Sequence, residues 1–221
     1  MNRIVFLLVF FVVGVTITYF LIQPKEKLLP VINPIDLEDE MVDPDVLMNR
    51  KGYGHTIGDF SFVNQNGETI TQKDLEGKVY VAEYFFTTCG TICPIMNEQM
   101  TRVQHHYRLN DNVRILSFTV NPEVDNVERM KEYALEHKAN DKQWFFLTGE
   151  KDSLYALARK SFFVLKPAEA ENLGDAGSDF IHTNNFVLVD GQKRIRGYYD
   201  GTSISSVDSL IHDIGRLLKE I

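Results

Sequence analysis

Phe85-Phe86-Thr87-Thr88-Cys89-Gly90-Thr91-Ile92-Cys93-Pro94 is the stretch on which the reading of this 221-residue chain turns. Both cysteines of the chain stand in it, four positions apart. Upstream, residues 78–86 form a near-continuous apolar run interrupted by Glu83, the pattern of a strand buried on both faces. Downstream, Pro94 suits a first helical turn, and Met96, Met100, Val103 and Tyr107 recur at helical spacing, predicting a helix to about Arg108. The cysteines therefore fall at a strand-to-helix junction. The positive end of a helix favours a thiolate there. A thiolate is both a nucleophile and a metal ligand.

Outward from this junction the pattern alternates. Asp59 to Val63 and Glu68 to Ile70, on either side of Asn66-Gly67, predict a small hairpin with a primed turn. Val113 to Val120 reads as a strand, Asn126 to Lys138 as a helix, Trp144 to Leu147 as a strand and Lys151 to Ser161 as a helix. A polar stretch from Lys166 to Ile181 is long for a connection in a compact domain. Thr183 to Val189 and Lys193 to Tyr199 form a second hairpin around Asp190-Gly191. The last helix is capped at Ser203 and carries Val207, Leu210, Ile211, Ile214, Leu217 and Leu218 on one face. Strands alternating with helices, then a hairpin and a helix, give an α/β domain around a mixed sheet. The order fits a thioredoxin-like fold with an added N-terminal hairpin.

The N-terminus is of another kind. Ile4 to Ile22 carries no charge over 19 residues, which as a helix reaches about 28 Å, close to the thickness of a bilayer core. The run exceeds the apolar region of a signal peptide, and no small-residue cleavage site follows in Tyr19 to Lys25. Residues 1–23 thus read as a single transmembrane helix that anchors the chain with its domain outside. Four of the seven prolines lie in residues 24–54, a linker or extended arm, and residues 55–221 form the domain. With 31 acidic residues against 23 Lys and Arg, the chain lacks the basic face that nucleic acid requires. Two cysteines are too few for a disulfide scaffold.

The pair itself admits a structural disulfide, redox chemistry or a metal site. Two thiolates leave a soft metal short of ligands, and His182, directly before a strand at the end of the polar stretch, is the best third donor. Two sulfurs and an imidazole suit Cu(I), Cu(II) or Zn(II). His105, His106, His137 and His212 fall on helices and read as structural or exposed, and Met96 and Met100 as core.

The segments Gly58-Asp59-Phe60, Gly77-Lys78-Val79, Thr87-Thr88-Cys89, Cys93-Pro94, Ser117 to Pro122, Leu147-Thr148-Gly149 and His182 to Asp190 together resemble the Sco/SenC family of copper chaperones for cytochrome oxidase assembly. The resemblance covers residues 58–220. It implies a membrane-anchored thioredoxin-like domain in which Cys89, Cys93 and His182 bind a copper ion, Cu(I) or Cu(II). It implies delivery by ligand exchange to the copper-bearing subunit of cytochrome c oxidase, with a thioredoxin-like reductant as a further partner. In a bacterium the place is the extracytoplasmic side of the inner membrane. The chain departs from the family at Gly90 and Thr91, where Pro and Asp are usual, and at Asn121 and Ile181, where Asp is common. The ligands remain, while carboxylates beside them are lost, which implies an altered metal affinity or redox potential.

The alternative function is a thiol–disulfide oxidoreductase that reduces cysteines of a target. Thioredoxin-like oxidoreductases carry a Pro before the strand facing the cysteines. Here no Pro follows Pro167, and His182 takes about that place. A peroxidase of peroxiredoxin type needs Thr three residues before its Cys, where Phe86 and Gly90 stand. A third class is a disulfide-stapled interaction module.

Overall fold

The computed structural model describes residues 2–22, 28–38, 42, 46, 53–164 and 184–220. Seven strands form one mixed sheet in the order β2-β1-β5-β4-β3-β6-β7. They are β1 (Ser61–Asn64), β2 (Thr69–Thr71), β3 (Val79–Phe85), β4 (Val113–Thr119), β5 (Trp144–Thr148), β6 (Asn185–Val189) and β7 (Ile195–Asp200). The helices are α1 (Asn2–Ile22), α2 (Cys93–His106), α3 (Val127–Glu136), α4 (Lys151–Leu157) and α5 (Ile204–Leu217). β3 pairs in parallel with β4, and β4 with β5, through the crossovers that α2 and α3 supply. β6 and β7 return antiparallel beside β3, and the β1–β2 hairpin adds to β5 at the other edge. This is the expected thioredoxin-like arrangement with its extra hairpin.

β3 is buried along its whole length, and its alternation divides the core. Val79, Val81 and Phe85 pack with Met96, Met100 and Val103 of α2, Met130 of α3 and Val207, Leu210 and Ile214 of α5. Tyr80, Ala82 and Tyr84 pack on the opposite face with Leu154 and Leu157 of α4 and with Phe162. The apolar stripe read on α2 is thus the stripe that α2 buries.

Three details differ from the pattern read in the chain. The first hairpin has no primed turn: Asn64 N–H bonds Glu68 O at 2.9 Å and Gly67 N–H bonds Asn64 O at 3.0 Å, leaving a three-residue loop that ends on Gly67 at φ +77°. The Asn64 carboxamide oxygen enforces it by accepting from Asn66 N at 2.9 Å and Glu68 N at 3.0 Å. The β6–β7 loop repeats the device. Asp190 Oδ1 accepts from Gln192 N at 2.9 Å and Arg194 N at 3.0 Å, so the left-handed position falls on Lys193 (φ 65°) rather than on Gly191. Gly191 is needed for another reason, since a Cβ there would stand 2.9 Å from the Gly77 backbone. The helix expected through Ser161 changes winding after Leu157. Residues Ala158–Phe162 form a π turn that ends on Phe163 in the left-handed region (φ 53°). That turn presents Ser161, whose carbonyl meets His55 Nε2 at 2.8 Å and whose Oγ accepts from Gly58 N at 3.1 Å.

The expected anchor is the helix α1. Its described side chains, residues 3–19 and 22, are exposed on every side. Among the described residues, no helix is long and apolar enough to cross a membrane. From the stretch read as a linker or arm, Leu29, Asn33, Val42 and Val46 are buried against the domain. The polar stretch Lys166 to Ile181 and His182 lie outside the described residues.

Candidate functional site

β3 ends at Phe85, and its backbone still pairs there, Phe85 O accepting from Val120 N at 2.9 Å. The chain then leaves the sheet. Thr87 is the fixed point of the departure. Its N–H lies 3.3 and 3.2 Å from the two Asp125 carboxylate oxygens, and its hydroxyl donates to Asp125 Oδ1 at 2.5 Å. Thr119 at the end of β4 donates to the other oxygen at 2.5 Å. Asp125 is fully buried. One carboxylate therefore ties the cysteine loop to the neighbouring loop after β4, and its charge is met by several donors rather than left bare in the interior.

A turn follows, with Cys89 N donating to Phe86 O at 3.2 Å, and α2 begins at Cys93 with Pro94 in its first turn. Ile92 offers this helix no side-chain cap. The Cys89 sulfur takes that role, accepting from Cys93 N at 3.5 Å. Both cysteines are free thiols, Cys89 half-buried and Cys93 buried. Their acidities diverge. Burial pushes the Cys89 thiol up, but hydrogen bonds from the Cys93 thiol, the Thr91 and Cys93 backbone and the Thr91 hydroxyl outweigh it, leaving the thiol below its ordinary value. Burial drives Cys93 the other way, well above the thiol range, reinforced by its bond to Cys89 and by Glu83. The outer sulfur is the ready nucleophile or first ligand, and the inner one closes the pair.

Behind Cys93 lies the acid that interrupts the apolar run of β3. Glu83 is buried on the same face of β3, where Ser117 Oγ donates to its Oε1 at 2.5 Å and Trp144 Nε1 in turn donates to Ser117 Oγ at 2.8 Å. Its second oxygen has no partner among the described residues. Burial pushes this carboxyl up to about 7, with the Ser117 bond opposing. On α2, Asn97 donates to the Tyr133 hydroxyl, and both side chains are buried. The signal for Glu83 was present as the only acid in an apolar run. Asp125 gave none, because the Thr87 that it fixes lies 38 residues away.

Of the three expected ligands, the described residues bring Cys89 and Cys93 together. His182 lies outside them. The chain re-enters the description at Asn184, whose carbonyl accepts from Gly201 N at 2.7 Å, and β6 then runs antiparallel to β3. Asn184 thus stands at the end of the sheet that carries the cysteines. His105, His106 and His212 are exposed on helices as read, and His137 packs on the Tyr133 ring at 4.4 Å. Among the described residues, no group of three His, Cys, Asp or Glu could hold a metal ion.

The profile of the family described as SCO1/SenC matches residues 49–219. The chain belongs to the SCO1/SenC family. It is 34% identical over 163 residues to the SCO1 protein homolog of Bacillus subtilis (strain 168), covering 72% of this chain and 81% of that one. Among solved structures it is similar to BsSco, a member of the Sco family of cytochrome c oxidase assembly proteins in which a disulfide switch was identified. That likeness has a TM-score of 0.63 at 31% identity, over 77% of this chain and 97% of that one. Arabidopsis thaliana ScoI, solved with copper bound, superposes with a TM-score of 0.56 at 25% identity, over 72% and 98% of the two chains.

Within this SCO1/SenC fold the departures near the sulfurs have a visible consequence. Thr91 places a hydroxyl 3.7 Å from Cys89 Sγ. A carboxylate there would repel the thiolate that the hydroxyl supports. A Cβ at Gly90 would meet open space, so the backbone does not require glycine.

Proposed function

We propose that this SCO1/SenC protein is a membrane-anchored copper carrier that serves assembly of a respiratory cytochrome c oxidase, with Cys89, Cys93 and His182 as ligands. The observation that carries the reading is the capping geometry at the start of α2, where Cys93 N donates to Cys89 Sγ at 3.5 Å and the two free thiols hydrogen-bond each other. Two sulfurs so placed form a soft bidentate pair, and the His182 imidazole, three residues before β6, completes a three-coordinate site for Cu(I) or Cu(II). Support from relatives is twofold: BsSco belongs to a family of oxidase assembly proteins, and Arabidopsis ScoI was solved with copper bound.

In this reading copper is cargo. Cys89 at the surface takes the ion first and Cys93 closes from beneath. Release follows when thiolates of the copper-bearing subunit enter the open side of the ion and displace the ligands one at a time. The thiols must be reduced to load, which gives a thioredoxin-like reductant a place upstream. The anchor reading is supported by the uncharged run Ile4 to Ile22 within the helix Asn2–Ile22, and places the domain on the extracytoplasmic side of the inner membrane.

Titration of the reduced protein with Cu(I) and Cu(II), followed by thiolate-to-copper absorption bands, tests the site. One equivalent binds, and Cys89→Ala, Cys93→Ala and His182→Ala each abolish or strongly weaken binding. Binding indifferent to all three sinks the assignment. The divergent acidities of the two thiols favour one second reading, a thiol–disulfide oxidoreductase with Cys89 as attacking sulfur. Rapid insulin reduction by the metal-free protein is its mark.

A further inference from the structure

Three large apolar side chains stand in water around the thiol pair: Ile95 is 45% exposed, Val124 46% and Ile204 63%. Single exposed aliphatic residues are ordinary, but a group of them gathered around a reactive centre is not. Their gathering follows from the fold. Arg102 of α2 pairs with Asp208 of α5, and further along Tyr107 Oη donates to Ile211 O at 2.5 Å. The two helices therefore run side by side in one direction, and their first turns stand at the same end. Ile95 lies seven residues before Arg102 and Ile204 four before Asp208, so both face the groove that this ion pair bridges. Along the helix direction they are only about 4.5 Å apart.

Val124 closes the other side. It precedes Asp125, whose carboxylate accepts from Thr87 N at 3.2 Å, so its loop lies against the cysteine loop. Cys89 follows β3, which stands in the sheet between β4 and the β6–β7 pair. Val124 follows β4 and Ile204 follows β7, so the sulfur is flanked on both sides. From β4 to β7 the sheet measures roughly 14 Å, well within the patch of about 800 Å² that each partner of a standard interface covers. Residues 86–92 between the flanks carry no charge. Charge begins beyond them. Glu98, one turn past Ile95, and Glu123, beside Val124, are exposed, as are Glu150 and Asp152 after β5, which runs parallel to β4. Against these acids stands Lys151, 3.8 Å from Glu123.

We propose that Ile95, Val124 and Ile204 form the face on which the copper acceptor docks, and that the acceptor meets it with an apolar centre ringed by Lys and Arg. This rests on the copper-cargo reading above. To exchange ligands, the acceptor's receiving atom must come within bonding distance of an ion held by Cys89 and Cys93, so its surface covers the flanks of the outer sulfur. Apolar flanks favour a partner that expels water from them. An acidic rim attracts and orients a basic one.

The test loads the full chain, in lipid nanodiscs, with Cu(I) and mixes it with the copper-free soluble domain of the oxidase subunit that bears the copper centre. Copper appearing in that domain is timed, and the metal-free complex is measured in parallel. Ile95→Ser, Val124→Ser and Ile204→Ser should each slow transfer about five- to tenfold at subsaturating acceptor and weaken the metal-free complex alike. A variant that loads copper poorly is judged by the metal-free complex. Leu109→Ser and Leu135→Ser are the controls, since these side chains are 89% and 71% exposed but stand after α2 and at the end of α3. Both should transfer like wild type. Raising salt from about 20 to 150 mM should slow transfer several-fold, and Glu98→Lys should blunt that dependence. Transfer and complex unchanged in the three serine variants, or weakened equally in the two controls, overturns the face. Transfer that quickens with salt overturns the basic rim. A chain that binds no copper, yet loses its metal-free complex on Ile204→Ser, supports the face and removes only the cargo. A chain that loads copper but forms no complex with that domain overturns the face and leaves the cargo reading standing.

Discussion

Glu83 is a carboxyl held in the interior with one hydrogen bond, from Ser117, and one oxygen without a partner among the described residues. Such an arrangement tolerates the neutral acid and penalises the carboxylate. Burial raises its pKa from 4.5 to about 7. Between these values the folded chain binds more protons than the unfolded one, so stability from this group is complete below about pH 4.5 and is lost as pH rises through about 7. Glu83→Gln keeps the shape and removes the titration. Urea unfolding should show the variant gaining on the wild type between pH 4.5 and 8, by up to about 3 kcal/mol. Curves that stay parallel across that range would contradict a buried, raised carboxyl. At this scale the sequence was legible where chemistry is local. Cys89 and Cys93 announce themselves by spacing and by Pro94, whereas Asp125 acts on Thr87 only once β3 and β4 are paired, and no local pattern carries that.

Helices expose their logic in one dimension and turns do not. The apolar stripes of α2 and α5 were read from period alone, because burial of one helical face leaves a regular mark. The first hairpin loop was misread in type, and the second was read only as a turn at Asp190-Gly191. Asn66-Gly67 and Asp190-Gly191 resemble primed turns, yet the side chains one position ahead of each loop, Asn64 and Asp190, accept two backbone N–H groups and draw in a third loop residue. Dipeptide preference yields to that pair of bonds. The helix starts separate in the same manner. Ser203 caps α5 through its side chain, which accepts from Ser206 N, and Asn126 caps α3 by accepting from Arg129 N. α2 has only the Cys89 sulfur. Ser203→Ala therefore removes a true cap and should cost about 1 kcal/mol in thermal or urea unfolding, with Ser203→Asp close to wild type. A cap worth nothing would leave the alanine variant unchanged.

For the molecule as a whole, the network around Arg196 closes the fold as the cysteines define its chemistry. Its partners are Leu29 and Pro30 from the arm, Asp190 from the β6–β7 loop and Glu220 from the end of the described chain, so no window of sequence contains it. A buried guanidinium is costly to desolvate, and its bonds to Asp190 largely offset that cost. Removing the guanidinium alone leaves the Leu29 and Pro30 carbonyls and Glu220 without its donors, while the buried Asp190 carboxylate keeps Arg194 as its one cation. Arg102 and Asp208 form a pair of the same chemistry between α2 and α5, but on the surface, with side chains 37% and 58% exposed. The two pairs differ in burial, and burial should set their worth. Arg196→Met is expected to lose about 3–5 kcal/mol. Arg102→Met should lose between about 0 and 1 kcal/mol, and less in high salt. Urea denaturation of the two variants at low and high ionic strength makes the comparison directly. Equal losses would mean that the arm is no more firmly held than a surface ion pair.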